Sequence, residues 1–361
     1  MKILMLKYYP VAISESFIRD QANLTPDTQL FHGPWPIRYG RKVTFLVRLA
    51  WILVKAISRL TDWFYYYLCY RLIKKNQPDL VFIQYGTTAA RMYKACLRLG
   101  IPFIIHFHGS DAYRKQVLDK YGNTYVDMLK QADAVIAVSK EMSTTLIAKG
   151  AAVETVILNP CGIDTNLFQL KSASDHFLSV GRFVPKKAPH HTITAFSKVL
   201  KEYPQQKLVM IGDGPLLATC IQLAQKLGIE SSIQFLGARD RSVVLQYMQG
   251  CFVFLQHSVT AEDGDKEGSP VAIAEAAACG IPVVSTVHAG IPEIVLDGKT
   301  GFLVEENDVD EMANRIKDLI KIPSEKYEVM VNNAREHMLN QFDQQKQLEK
   351  LKMIIYSIVN K

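Results

Sequence analysis

Residues 79–111, "DLVFIQYGTTAARMYKACLRLGIPFIIHFHGSD", decide the fold class. Two apolar runs, "DLVFIQYG" and "PFIIHFH", enclose a longer segment of helical pattern. Runs that are apolar at consecutive rather than alternate positions suit strands buried on both faces, as in a parallel sheet covered by helices. The same alternation extends outward in both directions. The first half adds "KILMLKYY", "DAVIAVS" and "TVILNP"; the second adds "HFLSVGR", "KLVMIGD", "IQFLG", "CFVFLQH", "PVVST" and "GFLV". Eleven such strands overfill one small sheet. A chain of 361 residues also exceeds what one hydrophobic core usually serves. The expected fold class is therefore α/β, with two Rossmann-like doubly wound parallel-sheet domains facing a cleft. The boundaries expected are 1–168 and 169–340, joined where "QLKSASD" turns polar, with a terminal helix in 341–361 packing back on the first domain. A single barrel of eight βα units is the alternative, disfavoured by that polar break and by a change of charge across it.

The charge change is sharp. Residues 1–170 carry 21 Lys+Arg against 12 Asp+Glu, a balance of +9, whereas residues 171–361 carry 21 against 23, a balance of −2. The first half thus suits an anionic partner: a phosphate-bearing substrate, nucleic acid or a lipid surface. With 48% hydrophobic and 21% charged residues the chain is globular, not disordered. Its six cysteines are scattered without a C-x-x-C pair or a Cys/His cluster, as expected of reduced, buried thiols in a cytoplasmic protein and not of a zinc site. "MKILMLKYYP" reads as a first strand and not as a signal peptide, and no apolar run is long enough to span a membrane.

Polar and glycine-rich motifs fall where strands end: "HGSD" (108–111), "GRFVPKK" (181–187), "GDGP" (212–215), "EGSP" (267–270) and "HAGIPE" (288–293). Open α/β sheets bind ligands beyond the carboxyl ends of their strands, so these motifs are expected to line the cleft. Gly268, Ser269 and Pro270 form a turn, and Pro270 suits the first position of a helix "VAIAEAAACG". The free amides and dipole at that start make an anion site suited to a diphosphate. Glu275, one to two turns inside, would accept from a ribose diol; Glu267, outside the helix, would reach another part of the same ligand. Alternatively Glu275 faces solvent and Glu267 is a loop charge. Arg182 and Lys187 would neutralise a leaving diphosphate, or form a solvated basic loop. Lys186, His190 and His191 are read as surface or packing residues. "DGD" (263–265) has the spacing of a divalent-ion site but is common in loops, and the two cations make a metal redundant, so none is expected.

His106 and His108 flank Phe107 and are expected to point to opposite sides, His106 into the core and His108 to the cleft edge with a ring N–H for a substrate hydroxyl. Asp111 has three open roles: orienting His108, capping the next helix or contacting an acceptor. In residues 41–75, Arg41, Arg48, Lys55 and Arg59 recur along one helical face among aromatic and aliphatic residues. That pattern suits the headgroup region of an anionic membrane, or an ordinary helix whose basic stripe faces water. Nucleic acid is disfavoured, because no motif for it is present and the second half is slightly acidic.

Taken together, "KEGSPVAIAEAAACGIPVVSTVHAGIPEIVLDGKTGFLV", "SVGRFVPKKAPHHTI", "VMIGDGPLL" and "NPCGIDTNLF" resemble the blocks of the retaining family-4 glycosyltransferases, in the expected order. The resemblance is strong over 155–310 and looser before. "SESFIRDQ" (14–21) and "HGSD" resemble the subset that builds bacterial exopolysaccharide, capsule or colanic-acid-like polymers. The resemblance implies a GT-B fold and transfer of a hexose from a UDP- or GDP-sugar, without another cofactor or a metal, to a glycan or lipid-linked acceptor at the inner membrane face. It implies that Arg182 and Lys187 hold the diphosphate, with Gly212 and Gly214 on the donor side. Glu275 would hold the ribose, and Glu267 with the backbone of Gly268, Ser269, Pro270 and Val271 the transferred sugar. His108 would approach that sugar, with Ser14, Glu15 and Asp111 on the acceptor side. Two departures concern the first loop, where "YYPVAISES" replaces a Gly-Gly pair, and Ala188, which stands where glycine is common. A nicotinamide-dependent dehydrogenase would need G-x-G-x-x-G after the first strand, and "MLKYYPVAISES" has no glycine. A catalytically inactive nucleotide-sugar-binding subunit would be expected to lack a donor ligand, and all four of Arg182, Lys187, Glu267 and Glu275 are present.

Overall fold

The computed structural model describes residues 1–12, 15–60, 62–169 and 176–360, with backbone alone for 58–60. The chain forms two units, one of Met1–Pro160 with Gln347–Lys361, the other of Cys161–Lys346. The second unit thus begins earlier than the polar stretch near 170 suggests. The segment after Cys161 is tied into it: Phe168 is fully buried in its core, and the Ile163 amide donates to the Phe342 carbonyl over 2.8 Å.

The first unit is a seven-stranded sheet of β1 Ile3–Lys7, β2 Gln29–His32, β3 Ile37–Arg38, β4 Leu80–Gln84, β5 Phe103–His106, β6 Ala134–Ala137 and β7 Val156–Leu158. Their order is β3-β2-β1-β4-β5-β6-β7, parallel except for the β2–β3 pair. Buried positions run without alternation along β1, β4, β5 and β6, the expected signature of a sheet covered on both faces. From the C-terminal helix Gln344–Val359, Leu351 and Ile355 pack against Ile3, Met5 and Phe82 of this unit.

The second unit is an all-parallel sheet of β8 His176–Val180, β9 Lys207–Ile211, β10 Ile233–Gly237, β11 Val253–Leu255, β12 Val283–Thr286 and β13 Gly301–Val304, ordered β10-β9-β8-β11-β12-β13. In each unit the first strand lies between the second and the fourth. The chain runs outward one way and then the other, leaving a switch point between β1 and β4 and another between β8 and β11. Each unit is therefore Rossmann-like, and the loops at its switch point are where this fold binds ligands.

Candidate functional site

In the second unit, "GRFVPKK" leaves β8 and "QHSVTAEDGDKEGSP" leaves β11, the two strands of the switch point. The first loop is braced by the one after β9. The Phe183 amide donates to the Asp213 carbonyl, and the Leu216 amide to the Phe183 carbonyl. Gly212 and Gly214 permit that approach: a Cβ on Gly212 would lie 1.9 Å from the Gly181 carbonyl oxygen, and one on Gly214 2.5 Å from that of Phe183. The glycines of "GDGP" are thus demanded by backbone packing.

A short 3-10 turn, Pro185–Lys187, aims its lysines differently. Lys187 is half-buried; its Nζ donates to Gln256 Oε1 over 3.2 Å and stands 3.3 Å from Oε1 of Glu267. Burial holds the Lys187 pKa below its ordinary value, and the Glu267 charge opposes that drop. Burial pushes Glu267 up, but the charges of Lys187 and Lys186 oppose it and the carboxyl ends below its ordinary value. Its Oε1 is buried without a hydrogen bond despite the nearby ammonium, an acceptor open to a ligand hydroxyl. Arg182 is exposed and has no carboxylate partner among the described residues. It borders a recess with Gly181, Phe183, Lys187 and Gln256.

Lys186 is not a surface residue. It is 7% exposed, and its Nζ reaches the Asp265 carboxylate (3.1 Å) and donates to the Lys266 carbonyl (2.9 Å). Ala188, in the left-handed region at φ 36°, turns the chain into the helix Pro189–Leu200. In "DGD", Asp263 Oδ1 accepts from the Asp265 amide over 3.0 Å. His190 and His191 are half-buried, with rings 4.3 Å apart.

Helix Val271–Ala278 begins one residue later than expected, with Pro270 as its flanking cap. No side chain caps its first turn, so the amides there are available to an anion. It ends at Gly280, at φ 78°, and Arg335 Nη1 donates to the Ala278 carbonyl near that end. Ile273, Ala274, Ala276, Ala277 and Ala278 are all buried, and Glu275 among them is half-buried. Burial pushes its carboxyl up to about 7, with Arg241 opposing. Lys187 and Glu267 are brought into contact; Glu275 stands apart from them, on the helix.

In the first unit, Glu15 follows β1 and Tyr85 follows β4, at the other switch point. Glu15 accepts from the Tyr85 hydroxyl (2.6 Å) and pairs with Lys7 (2.9 Å), a lysine buried at the end of β1 that the motif reading overlooked. Tyr85 holds φ 72°, a conformation that costs an aromatic residue and tends to persist near functional sites. Ser14 lies outside the described residues. His106 and His108 do not point to opposite sides: their rings lie 4.2 Å apart, because positions two apart in extended chain share a face. The ring nitrogen Nε2 of His108 is engaged by Gln84 Oε1 at 2.8 Å, so the N–H assigned to a substrate hydroxyl is already committed. Burial holds both rings neutral, His106 down to about 3 and His108 well below its ordinary value. Asp111 does not bond the His108 ring; it reaches back to the N-cap amide of its own helix Ser110–Tyr113. Its carboxylate accepts from the amides of Gly86, His108 and Gly109 at 2.8, 3.0 and 2.9 Å, knitting two loops together.

Two family models match in succession: Glycosyltransferase Family 4 over residues 33–167, and Glycosyl transferases group 1 over residues 165–337. The chain belongs to the family-4 glycosyltransferases. It is 33% identical over 265 residues to the putative colanic acid biosynthesis glycosyltransferase WcaL of Salmonella typhimurium, covering 72% of this chain and 65% of that protein. To the amylovoran biosynthesis glycosyltransferase AmsK of Erwinia amylovora it is 31% identical, covering 57% of this chain and 52% of that one. The chain thus spans about two thirds or less of these relatives. Among solved structures, Anabaena Alr3699/HepE in complex with UDP superposes with a TM-score of 0.80 at 22% identity, covering 99% and 100% of the two chains. The lipopolysaccharide outer core galactosyltransferase WaaB gives 0.71 at 19%, covering 99% of each. These neighbours place the family-4 chain in the GT-B fold. Gln256, Lys7, Tyr85 and Gln84 went unread in the sequence, although each sits on the last or next residue of an apolar run at a switch point.

Proposed function

We propose that this family-4 glycosyltransferase moves a hexose from a nucleotide-diphosphate sugar, with retention of configuration, to a glycan or lipid-linked saccharide in bacterial surface polysaccharide synthesis. One observation carries the reading: the switch point of the second unit gathers an exposed arginine, a half-buried lysine, the Glu267 carboxylate 3.3 Å from it and an uncapped helix start. Arg182, Lys187 and the first turn of Val271–Ala278 receive the diphosphate and stabilise its charge as it departs, in place of a metal ion. Glu275 receives the ribose diol. Glu267, with the backbone of Gly268–Val271, receives the hexose. Gly212 and Gly214 serve by letting the loops close on one another. His108, Glu15 and Asp111 belong to the acceptor side. The relatives named for colanic acid and amylovoran, and the UDP-bound neighbour, support the polymer and the donor class.

Thermal-shift screening against UDP, GDP and ADP sugars tests this. A ligand at one hundred times its Kd stabilises by about 2.7 kcal/mol, which for a unit of this size is about 5–10 °C. No stabilisation by any of them would refute the reading.

The acceptor is proposed to lie on an anionic membrane. No helix among the described residues is long and apolar enough to cross one. Helix Phe45–Leu60 instead turns apolar side chains outward: Phe45, Leu46, Leu49, Ile52, Leu53 and Ile57 are all exposed, and Val54, on the far side, is buried. At 100° per residue the six occupy an arc of about 140°. Exposed Arg48 and Lys55 border that arc, while Arg41 lies before the helix and outside the stripe. An apolar face edged by cations fits an interface of hydrocarbon and anionic headgroups, at about 1 kcal/mol per cation. Flotation with vesicles of phosphatidylglycerol and phosphatidylethanolamine should carry the protein upward, and Leu49→Glu with Ile52→Glu should abolish it. Failure of the wild type to float at low salt would refute the membrane part alone.

A further inference from the structure

Directly behind Glu267 stand two residues with no part in the donor reading. His288 follows β12 and is 2% exposed. The backbone N–H of Glu267 donates to its Nε2 over 3.1 Å. A ring nitrogen that accepts carries no proton, so the neutral imidazole is protonated on Nδ1. Nδ1 lies 2.6 Å from Oε1 of Glu306, which takes that hydrogen bond. Glu306 is itself fixed, accepting from the Thr260 amide (2.8 Å) and hydroxyl (3.2 Å). The chain of donation therefore runs one way, from a backbone amide through an imidazole to a carboxylate. On the other flank, Lys186 grips Asp265 and the Lys266 carbonyl. Residues 265–267 are held from both sides, and the Glu267 carboxylate stands between them beside Lys187.

We propose that His288, locked by Glu306 as the Nδ1–H tautomer, is a positioning residue that holds the Glu267 backbone where its carboxylate meets the transferred sugar. The inference rests on the reading of Glu267 as the sugar grip. A loop carboxylate has no helix or strand to fix it, and a misplacement of about 1 Å is enough to cost on the order of 100-fold in rate. The amide of Glu267 is the nearest rigid handle, and it needs an acceptor. Protonation on Nε2 would set two donors face to face and release the loop, which is why the tautomer, and therefore Glu306, matters.

Two substitutions separate the halves of the ring. His288→Gln sets an acceptor oxygen near the place of Nε2; His288→Asn keeps a donor toward Glu306 and offers Glu267 none. Turnover is read as UDP or GDP release from the nucleotide sugar that stabilises the protein, and affinity as the Kd for UDP or GDP alone. We expect His288→Asn to lose roughly 10–100-fold in kcat with nucleotide Kd nearly unchanged, since Arg182, Lys187 and Glu275 are untouched. His288→Gln should recover most of that loss. Long-range ¹H–¹⁵N spectra of the wild-type protein, which require no variant to fold, should show the His288 ring protonated on Nδ1. Wild-type kcat in His288→Asn, or a ring protonated on Nε2, would overturn the proposal. Glu267→Ala, run in parallel, tells the two failures apart. If it cripples turnover while His288→Asn does not, the positioning role alone is lost; if it turns over normally, the sugar-grip reading falls and takes the positioning role with it.

Discussion

Glu275 stands in an alanine-walled helix, and replacing it by glutamine is expected to stabilise the protein above neutral pH while weakening nucleotide binding. Burial raises the carboxyl from its ordinary 4.5 to about 7 in the folded chain. Below 4.5 the group is protonated whether the chain is folded or not, so it makes no difference between the two states. Between 4.5 and 7 only the unfolded chain gives up the proton, and each step upward in pH favours unfolding. Above 7 both forms are ionised and the loss is complete. At 1.36 kcal/mol per pH unit the full cost is about 3 kcal/mol. Glutamine fills nearly the same volume without the charge, so the advantage of Glu275→Gln over wild type should grow by about 2–3 kcal/mol from pH 5 to pH 8. For a unit of this size that is about 4–12 °C in thermal midpoint. The assay is a pair of melting curves at each pH without ligand, repeated with UDP or GDP. A difference that does not change with pH would refute the account of the carboxyl, whatever the nucleotide does.

Three further outcomes follow from the same geometry. Lys187→Met removes the buried cation beside Glu267 and should lower kcat by about 10²–10³, measured as nucleotide release at saturating donor. Gly212→Ala forces a Cβ to 1.9 Å from the Gly181 carbonyl oxygen, and should cost about 3 kcal/mol in urea unfolding. Asp111→Ala leaves three backbone amides without their acceptor. At about 1–3 kcal/mol for each stranded group, the first unit should be too weak to purify or should melt far below wild type.

The layered architecture could be read from the chain because most of its strands are runs of consecutive apolar residues, and the sequence needs no long-range information to display that. Strands β2 and β3 escaped for the opposite reason. "QLFHGPWPIR" is broken by Gly33, Pro34 and Pro36, β3 is only two residues long, and what makes β2 a strand is its pairing with β1. The motif residues were legible as types at strand ends, but their partners were not. Lys186 and Lys187 are neighbours in one turn, and only the fold decides that one braces Asp265 while the other faces Glu267. His288 was visible inside "HAGIPE", yet its value lies in an amide 21 residues away. In residues 41–59 the periodicity marked a basic stripe; which face packs inward depends on Val54 meeting the rest of the unit.

A carboxylate beside the lysine proposed to receive a diphosphate looks self-defeating, since it spends part of the positive charge in advance. The burial of Lys187 supplies the reason. Desolvation lowers its pKa, and Glu267 is the charge that opposes this. The pairing, at 3.3 Å, is longer than a tight charge-assisted hydrogen bond. In the proposed reading the incoming diphosphate replaces Glu267 as the partner of Lys187, and the freed carboxylate turns to a hydroxyl of the sugar. In that reading one ion pair offsets part of the desolvation of Lys187 before binding and divides into two separate grips afterwards. Glu275, with no ion pair among the described residues and its carboxyl pushed up to about 7, would in the same reading be drawn toward the ionised form by ribose hydroxyls donating to it.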